Sequence, residues 1–236
     1  MPGYNAEKTL EKTVSAIPKG LAYKIILTDD CSHDKTSAIG RKLGLIVHRN
    51  KINIGYGGSQ KIGYKLALKY KPDIVLMLHP DFQYDPKLAY NMVKPIEGGL
   101  VDVMLGTRIR SRAEALKGGM PIYKYLFNRL LTMIENIVLG LNLSEYHTGY
   151  RAYSRKVLET VPFNKFSDDF VFDSQFLVSA AYSKFRFGET PVAVRYFSEA
   201  SSISFKRSLM YGVNTLLTLG KYLCQKMGLI RWKIFS

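Results

Sequence analysis

Lys24-Ile25-Ile26-Leu27-Thr28-Asp29-Asp30 is the stretch on which the fold turns. Ile25 to Thr28 run without polar alternation, as in a strand buried on both faces, and two carboxylates end the run abruptly. A strand of this kind belongs to a sheet covered by helices, and the flanking sequence repeats the pattern. Upstream, Leu10, Val14 and Ile17 mark one helical face, with Asn5 as the expected N-cap and Pro18 as the stop. Downstream, the spacing predicts a helix near 35–43, a strand over 45–48 and a Gly-rich loop. A helix over 59–70, a strand over 74–78, a helix starting near Pro86 and a strand over 101–105 follow. Strands separated by helices of about 10–15 residues imply an α/β fold with a mostly parallel central sheet flanked by helices. Ligands of such sheets sit beyond the carboxyl ends of the strands, and the chemistry-bearing residues fall there.

The second half is less regular. An amphipathic helix is expected over 123–141, a short strand over 148–153 and a helix over 170–182. A pair of strands around Gly188 and Pro191 is expected over 185–196. From Ala200 onward there is no acid, against Lys206, Arg207, Lys221, Lys226, Arg231 and Lys233. Without a repeat or linker, residues 1–200 read as one domain and 201–236 as a basic amphipathic C-terminal helix.

Composition narrows the class. The chain has 236 residues, 47% hydrophobic and 22% charged, which is globular rather than disordered. Its formal net charge of +15 favours an anionic partner: nucleic acid, an acidic membrane surface or a phosphorylated small molecule. The two cysteines, Cys31 and Cys224, make no disulfide framework, so a reducing, cytoplasmic location is expected. No run reaches the ~18 apolar residues of a membrane span, and Met1 leads straight into a polar turn rather than a signal peptide. The C-terminal aromatics are spread among aliphatics without a nucleic-acid motif, which argues against nucleic acid. An apolar helix face bordered by Lys and Arg suits an anionic bilayer, or packs on the domain with its basic face in water.

Several constellations carry chemistry. Asp29-Asp30 at a strand end serve a ligand (ribose, base or metal) or form a solvated turn in which Asp30 or Ser32 caps the next helix. His79-Pro80-Asp81-Phe82-Gln83-Tyr84-Asp85-Pro86 follows a buried strand and is rich in oxygen donors, which suits a hard divalent cation. Asp81 and Gln83 alternate along an extended backbone and so point the same way. Asp85 before Pro86 reads as an N-cap. Asn53-Ile54-Gly55-Tyr56-Gly57-Gly58 leads into a helix bearing Lys61, yet matches neither a Walker loop nor GxGxxG. Its glycines admit a ligand or make a tight turn. Arg108 and Arg151 suit phosphate oxygens, or a structural ion pair. His33 and His48 read as incidental, and His147 as an acid/base candidate.

Taken in order, these segments resemble a known family. Pro2-Gly3-Tyr4-Asn5-Ala6-Glu7 and Asp29-Asp30-Cys31-Ser32-His33-Asp34-Lys35-Thr36 resemble the first two nucleotide-binding motifs of family-two glycosyltransferases. Residues 53–63, the Asp81/Gln83 segment, Leu105-Gly106-Thr107-Arg108 and Thr148-Gly149-Tyr150-Arg151-Ala152-Tyr153-Ser154 continue the likeness. The group that includes dolichol-phosphate mannosyltransferase and other polyprenyl-phosphate glycosyltransferases is similar over residues 2–200.

The resemblance implies a GT-A fold, an inverting mechanism and a UDP- or GDP-linked sugar donor. It implies that Pro2, Tyr4, Asn5 and Glu7 line the nucleotide pocket, with Gly57 and Lys61 beside them, and that Asp29 and Asp30 contact base or ribose. Asp81 and Gln83 would hold Mg²⁺ or Mn²⁺. Arg108, Lys124 and Arg151 would contact donor or acceptor phosphates, leaving Asp81, Arg108 and Asp173 as the catalytic set. The acceptor would be a polyprenyl phosphate met at the cytosolic membrane face. Alternatives are a saccharide hydroxyl acceptor in envelope polysaccharide synthesis, with Asp173 as its base, or a non-catalytic nucleotide-sugar-binding relic.

Two departures stand out. His79 occupies the first place of the family's Asp-x-Asp motif, where it ligates Mn²⁺ or stands behind the ligands. The family also places an apolar strand immediately before Pro2, so Met1 is expected to be an internal methionine of a longer natural chain.

Overall fold

The run at 24–30 forms strand β2 (Ile26–Asp29), which lies between two parallel neighbours, β1 (Pro2–Gly3) and β3 (Ile46–Arg49). The computed structural model describes residues 1–108, 121–192 and 205–235, with Phe205 and Lys206 defined by their backbone alone. Helices α1 (Leu10–Ser15) and α2 (Thr36–Lys42) close Leu10, Leu27 and Leu45 into one apolar cluster of this first sheet.

The second sheet contains β4 (Ile74–Met77), β5 (Val103–Thr107), β6 (Arg151–Ser154) and β7 (Phe187–Pro191) in the order β4-β6-β5-β7. Here the mostly parallel arrangement takes in one antiparallel strand. β6 runs antiparallel to both β4 and β5, and only β5 and β7 pair in parallel. The chain leaves β5, passes through α5 (Ile122–Leu139) and enters β6 at that same end of the sheet, so β6 runs back against β5. No local pattern announces that reversal. The two sheets abut where β1 meets the end of β4, and the Thr13 hydroxyl donates to Pro80 O at 3.1 Å. At the start of β1 the Met1 amino group donates to Ile26 O at 2.8 Å, and burial lowers its pKa to about 5.

α3 (Tyr56–Leu68), α4 (Ala89–Glu97), α6 (Arg155–Thr160), α7 (Phe172–Tyr182) and α8 (Phe205–Lys226) complete the layers. Asp85 caps the turn before α4 as expected, accepting from Lys87 N at 3.0 Å with Pro86 in the first helical place. Asn5 is not the N-cap of α1, because its φ is +51° and the helix begins five residues later, at Leu10. Between the second sheet and α7 the core is aromatic, with the Tyr153 and Phe176 rings 4.4 Å apart. Of the strands expected over 185–196, β7 is present. Residues 193–196 lie outside the described residues, as does the 200/201 boundary.

Candidate active site

One cleft of about 1730 Å³ runs across the strand ends, from the β1 and β2 loops to a wall made by α5 and α8. At its first end two loops are laced together through backbone amides. Asn5 N donates to Ser32 Oγ, Ala6 N to Thr36 Oγ1 and Glu7 N to Asp34 Oδ2, at 2.7–2.9 Å. In return His33 N donates to Asn5 Oδ1 and Lys35 N to Glu7 Oε2. Pro2, Tyr4, Asn5 and Glu7 therefore all line the cleft, but the Asn5 and Glu7 side chains hold the loops in place.

The adjacent acids divide their work. Asp29 is fully buried and faces away from the cleft, accepting from Ser32 N and the Ser37 hydroxyl, so no ligand contact is left to it. Asp30 borders the cleft and accepts from Asn50 Nδ2, Ile54 N and Gly55 N at 2.8–3.0 Å. It thereby moulds the Gly-rich loop. Within that loop Gly57 is a packing glycine, since an added Cβ would lie 2.5 Å from Ser167 O and 2.7 Å from Phe172 Cβ. Lys61 likewise points away from the cleft and pairs with Asp168 at 2.7 Å. Asp29, Gly57 and Lys61, expected beside the nucleotide, are thus not among the residues that line the cleft.

His79, Asp81 and Gln83 line the middle of the cleft. The segment is not extended. Phe82 has φ +57° and buries its ring, while Asp81 Oδ1 accepts from Gln83 N at 3.0 Å. A tight turn, not strand alternation, joins these two cleft-lining residues. The His79 ring stacks on Tyr56 at 5.5 Å, with Nε2 3.3 Å from the Tyr56 hydroxyl, and burial lowers its pKa. Gly149 permits this packing, because a Cβ there would meet His79 Nε2 at 2.5 Å. Among the described residues no group of three or more His, Cys, Asp or Glu is arranged for a metal. Asp81 with Gln83 still fits a hard cation that takes its other ligands from water and substrate phosphates.

At the far end, buried side chains pair with one another. Arg151, wholly buried, sits 3.0 Å from Asp173 and donates to Thr148 O and Tyr146 O. Asp173 also accepts from the Tyr56 hydroxyl at 2.9 Å and Gln60 Nε2 at 3.0 Å. Arg151 is absent from the cleft wall, whereas its partner Asp173 lines it. Arg108 reaches the cleft while its guanidinium holds Glu145 and donates to His147 O at 2.8 Å. Burial alone would raise the Glu145 pKa, but the Arg108 charge and hydrogen bonds hold it below the usual range. Lys124 lines the same wall from α5.

His147 forms the third buried pair. Its Nε2 lies 3.2 Å from Glu135 and its Nδ1 lies 3.0 Å from the Tyr211 hydroxyl of α8. Burial lowers the His147 pKa to about 4 and raises that of Glu135 well above the carboxylate range, so both favour their neutral forms. The sequence reading did not find Tyr56, Gln60, Glu135, Glu145 or Tyr211. Each acts through a partner distant in sequence, although Tyr56 and Gln60 stand in the Gly-rich segment already singled out.

Residues 1–161 match the model of the family described as Glycosyl transferase family 2. The chain is a family 2 glycosyltransferase. Among its relatives, this transferase is 33% identical over 196 residues to the uncharacterized protein MJ1222 of Methanocaldococcus jannaschii, covering 83% of this chain and 80% of that one. It is 25% identical over 213 residues to a UDP-N-acetylglucosamine–dolichyl-phosphate N-acetylglucosaminyltransferase of Methanococcus voltae, covering 83% and 84%. Its fold is that of glucosyl-3-phosphoglycerate synthase from Mycobacterium tuberculosis in complex with UDP, with a TM-score of 0.70 at 19% identity over 94% of this chain and 77% of that one. The same synthase is also known with Mn²⁺, UDP-glucose and phosphoglyceric acid.

Proposed function

We propose that the transferase moves a sugar from a UDP-linked donor to a polyprenyl phosphate at a membrane surface. The acceptor phosphate oxygen attacks the anomeric carbon from one face. The bond to the diphosphate breaks on the other face, and its electron pair leaves with the nucleoside diphosphate.

The observation that carries this reading is the state of Asp173. A hydroxyl acceptor needs a base to take its proton, and the acceptor-side carboxylate already faces Arg151, Tyr56 and Gln60. A phosphate oxygen is ionised near neutral pH and needs no such base. The dolichyl-phosphate relative and the phosphate-bearing acceptor of the M. tuberculosis synthase support the same acceptor chemistry, and both use UDP-sugars.

When bound, a divalent cation held by Asp81 and Gln83 would offset the charge developing on the leaving diphosphate. The chain's own part is to clamp the donor between the two laced loops and to keep Asp173 and Arg108 fixed beside the reaction. Lys124 adds a cation to the acceptor wall.

A second reading has its own observation. Asp169 stands exposed on the cleft wall and would serve a saccharide hydroxyl as base. The two readings separate by incubating the full chain with UDP-sugars, Mn²⁺ or Mg²⁺, and either a detergent-dispersed polyprenyl phosphate or an oligosaccharide. Mass spectrometry should detect a glycosylated prenyl phosphate, with turnover insensitive to Asp169→Asn. Sugar transfer to the oligosaccharide alone would replace the first reading with the second.

A further inference from the structure

Helices on a protein surface usually turn their apolar stripe inward. α5 and α8 bury Leu131, Leu139, Leu219 and Tyr222 in this way, yet each also turns a second apolar stripe outward. Ile122, Leu126, Phe127, Leu130, Met133 and Ile137 of α5 face outward, whereas Asn128, Thr132 and Glu135 are buried. On α8, Leu209, Met210, Val213, Leu216, Leu217 and Leu223 face outward while Thr215 and Thr218 are buried. The exposures are large: 60% for Leu126, 75% for Ile137 and 58% for Leu217.

Hydrogen bonds fix these rotations. Asn128 Nδ2 donates to Glu145 at 2.9 Å, and Thr215 Oγ1 lies 2.9 Å from Ser174 Oγ. The helices pack against each other so closely that a Cβ on Gly212 would lie 3.5 Å from Leu131 Cδ1. Their outward faces therefore form one apolar surface. Its wall is shared with the cleft, because Phe127, Leu130, Leu209, Val213 and Leu216 line both.

We propose that the joint outer face of α5 and α8 seats the protein on an anionic bilayer, with the mouth of the cleft opening at the lipid surface. The proposal deepens the acceptor reading by saying where a membrane-bound phosphate is met. Charge selects the occupant. The one acid of these helices, Glu135, is buried, while Lys226 and Arg231 are exposed at the end of the face, beside Lys221. Such a rim complements anionic headgroups. A pairing of two copies that brought these cationic ends together would be opposed by their repulsion. Among the described residues no helix is long and apolar enough to cross a membrane, so the helices lie in the interface plane.

Flotation of the full chain with phosphatidylcholine vesicles, with and without phosphatidylglycerol, tests the seat without using turnover. Binding is expected to the anionic vesicles and to weaken with added salt. The double variant Met133→Ser, Ile137→Ser, at residues that do not line the cleft, should partition roughly tenfold more weakly. Its melting temperature and its response to UDP should stay those of the parent. Leu100→Ser, at a residue 72% exposed after α4, should bind like the parent. The seat is overturned if the double variant binds as tightly as the parent. It is equally overturned if the parent ignores vesicles and instead forms a dimer that the double variant dissolves. Vesicle binding without glycosylation of dispersed prenyl phosphate would leave the seat standing and remove the acceptor reading. Glycosylation without vesicle binding would remove the seat alone.

Discussion

The two ends of the cleft are held by different kinds of bond. At the end proposed for the donor, side chains of one loop grip backbone amides of the next, as Asp30 grips Ile54 N and Gly55 N. At the end proposed for the acceptor, buried side chains grip each other: Arg151 with Asp173, Arg108 with Glu145 and His147 with Glu135. Removing one partner of a buried pair leaves the other charge or dipole in a medium that cannot solvate it. A loop that loses one amide acceptor still has water nearby. The acceptor end should accordingly respond to substitution through stability, and the donor end through activity.

The largest expected effect breaks that contrast if it fails. Arg151→Ala orphans Asp173 and should cost about 3–5 kcal/mol. At ~2–4 °C per kcal/mol for a chain of this size, thermal unfolding should move down by several degrees at least. An unchanged melting temperature would show that Asp173 does not depend on its buried partner. Next is Asp81→Ala, expected to keep the melting temperature while kcat/KM for transfer falls by roughly 10²–10³, the loss typical of one preorganised electrostatic contact. His79→Asp should retain activity. The opposite ranking of these two variants would place the diphosphate site around His79 instead.

The third test uses pH. Glu135, raised in the fold, contributes stability that is full below its unfolded pKa and is lost as pH rises through and beyond it. His147, lowered to about 4, contributes stability that is full above its ordinary value near 6.5 and is lost as pH falls between the two. Glu135→Gln should therefore gain stability relative to the parent as pH rises from acid to alkaline, read by denaturant unfolding at each pH. A constant difference across pH would mean that Glu135 is ionised in the fold. The smallest effect is Lys61→Met. Its pair with exposed Asp168 is worth about 0–1 kcal/mol, and UDP binding should not change. A marked loss of UDP affinity, measured calorimetrically, would return Lys61 to the donor site.

How much was legible follows the same division. The β2 run, the Asp85-Pro86 cap and the donor loops are local signals, each written within a few residues. The oxygen-rich strand end singled out Asp81 and Gln83, which line the cleft, although the turn at Phe82 between them was not foreseen. For Arg151 the sequence left a phosphate contact and a structural ion pair both open, because an arginine beside a Gly loop looks the same in either setting, and the structure pairs it with buried Asp173. α5 was read as amphipathic, which it is. It buries Leu131 and Leu139 but also turns an apolar stripe outward, and hydrophobic spacing cannot show that.

By itself, the sequence determined the helix and strand periods, the order of the motifs and the family. Those depend on residues that interact along the chain or recur at fixed spacing. The tertiary structure alone decided the antiparallel insertion of β6, the partner of each buried charge and the outward rotation of α5 and α8. Each of these is settled by which distant group fills a desolvated space, as when Asp173 meets Tyr56 across 117 positions. Burial then makes that pairing obligatory, because no water is present to take the missing partner's place.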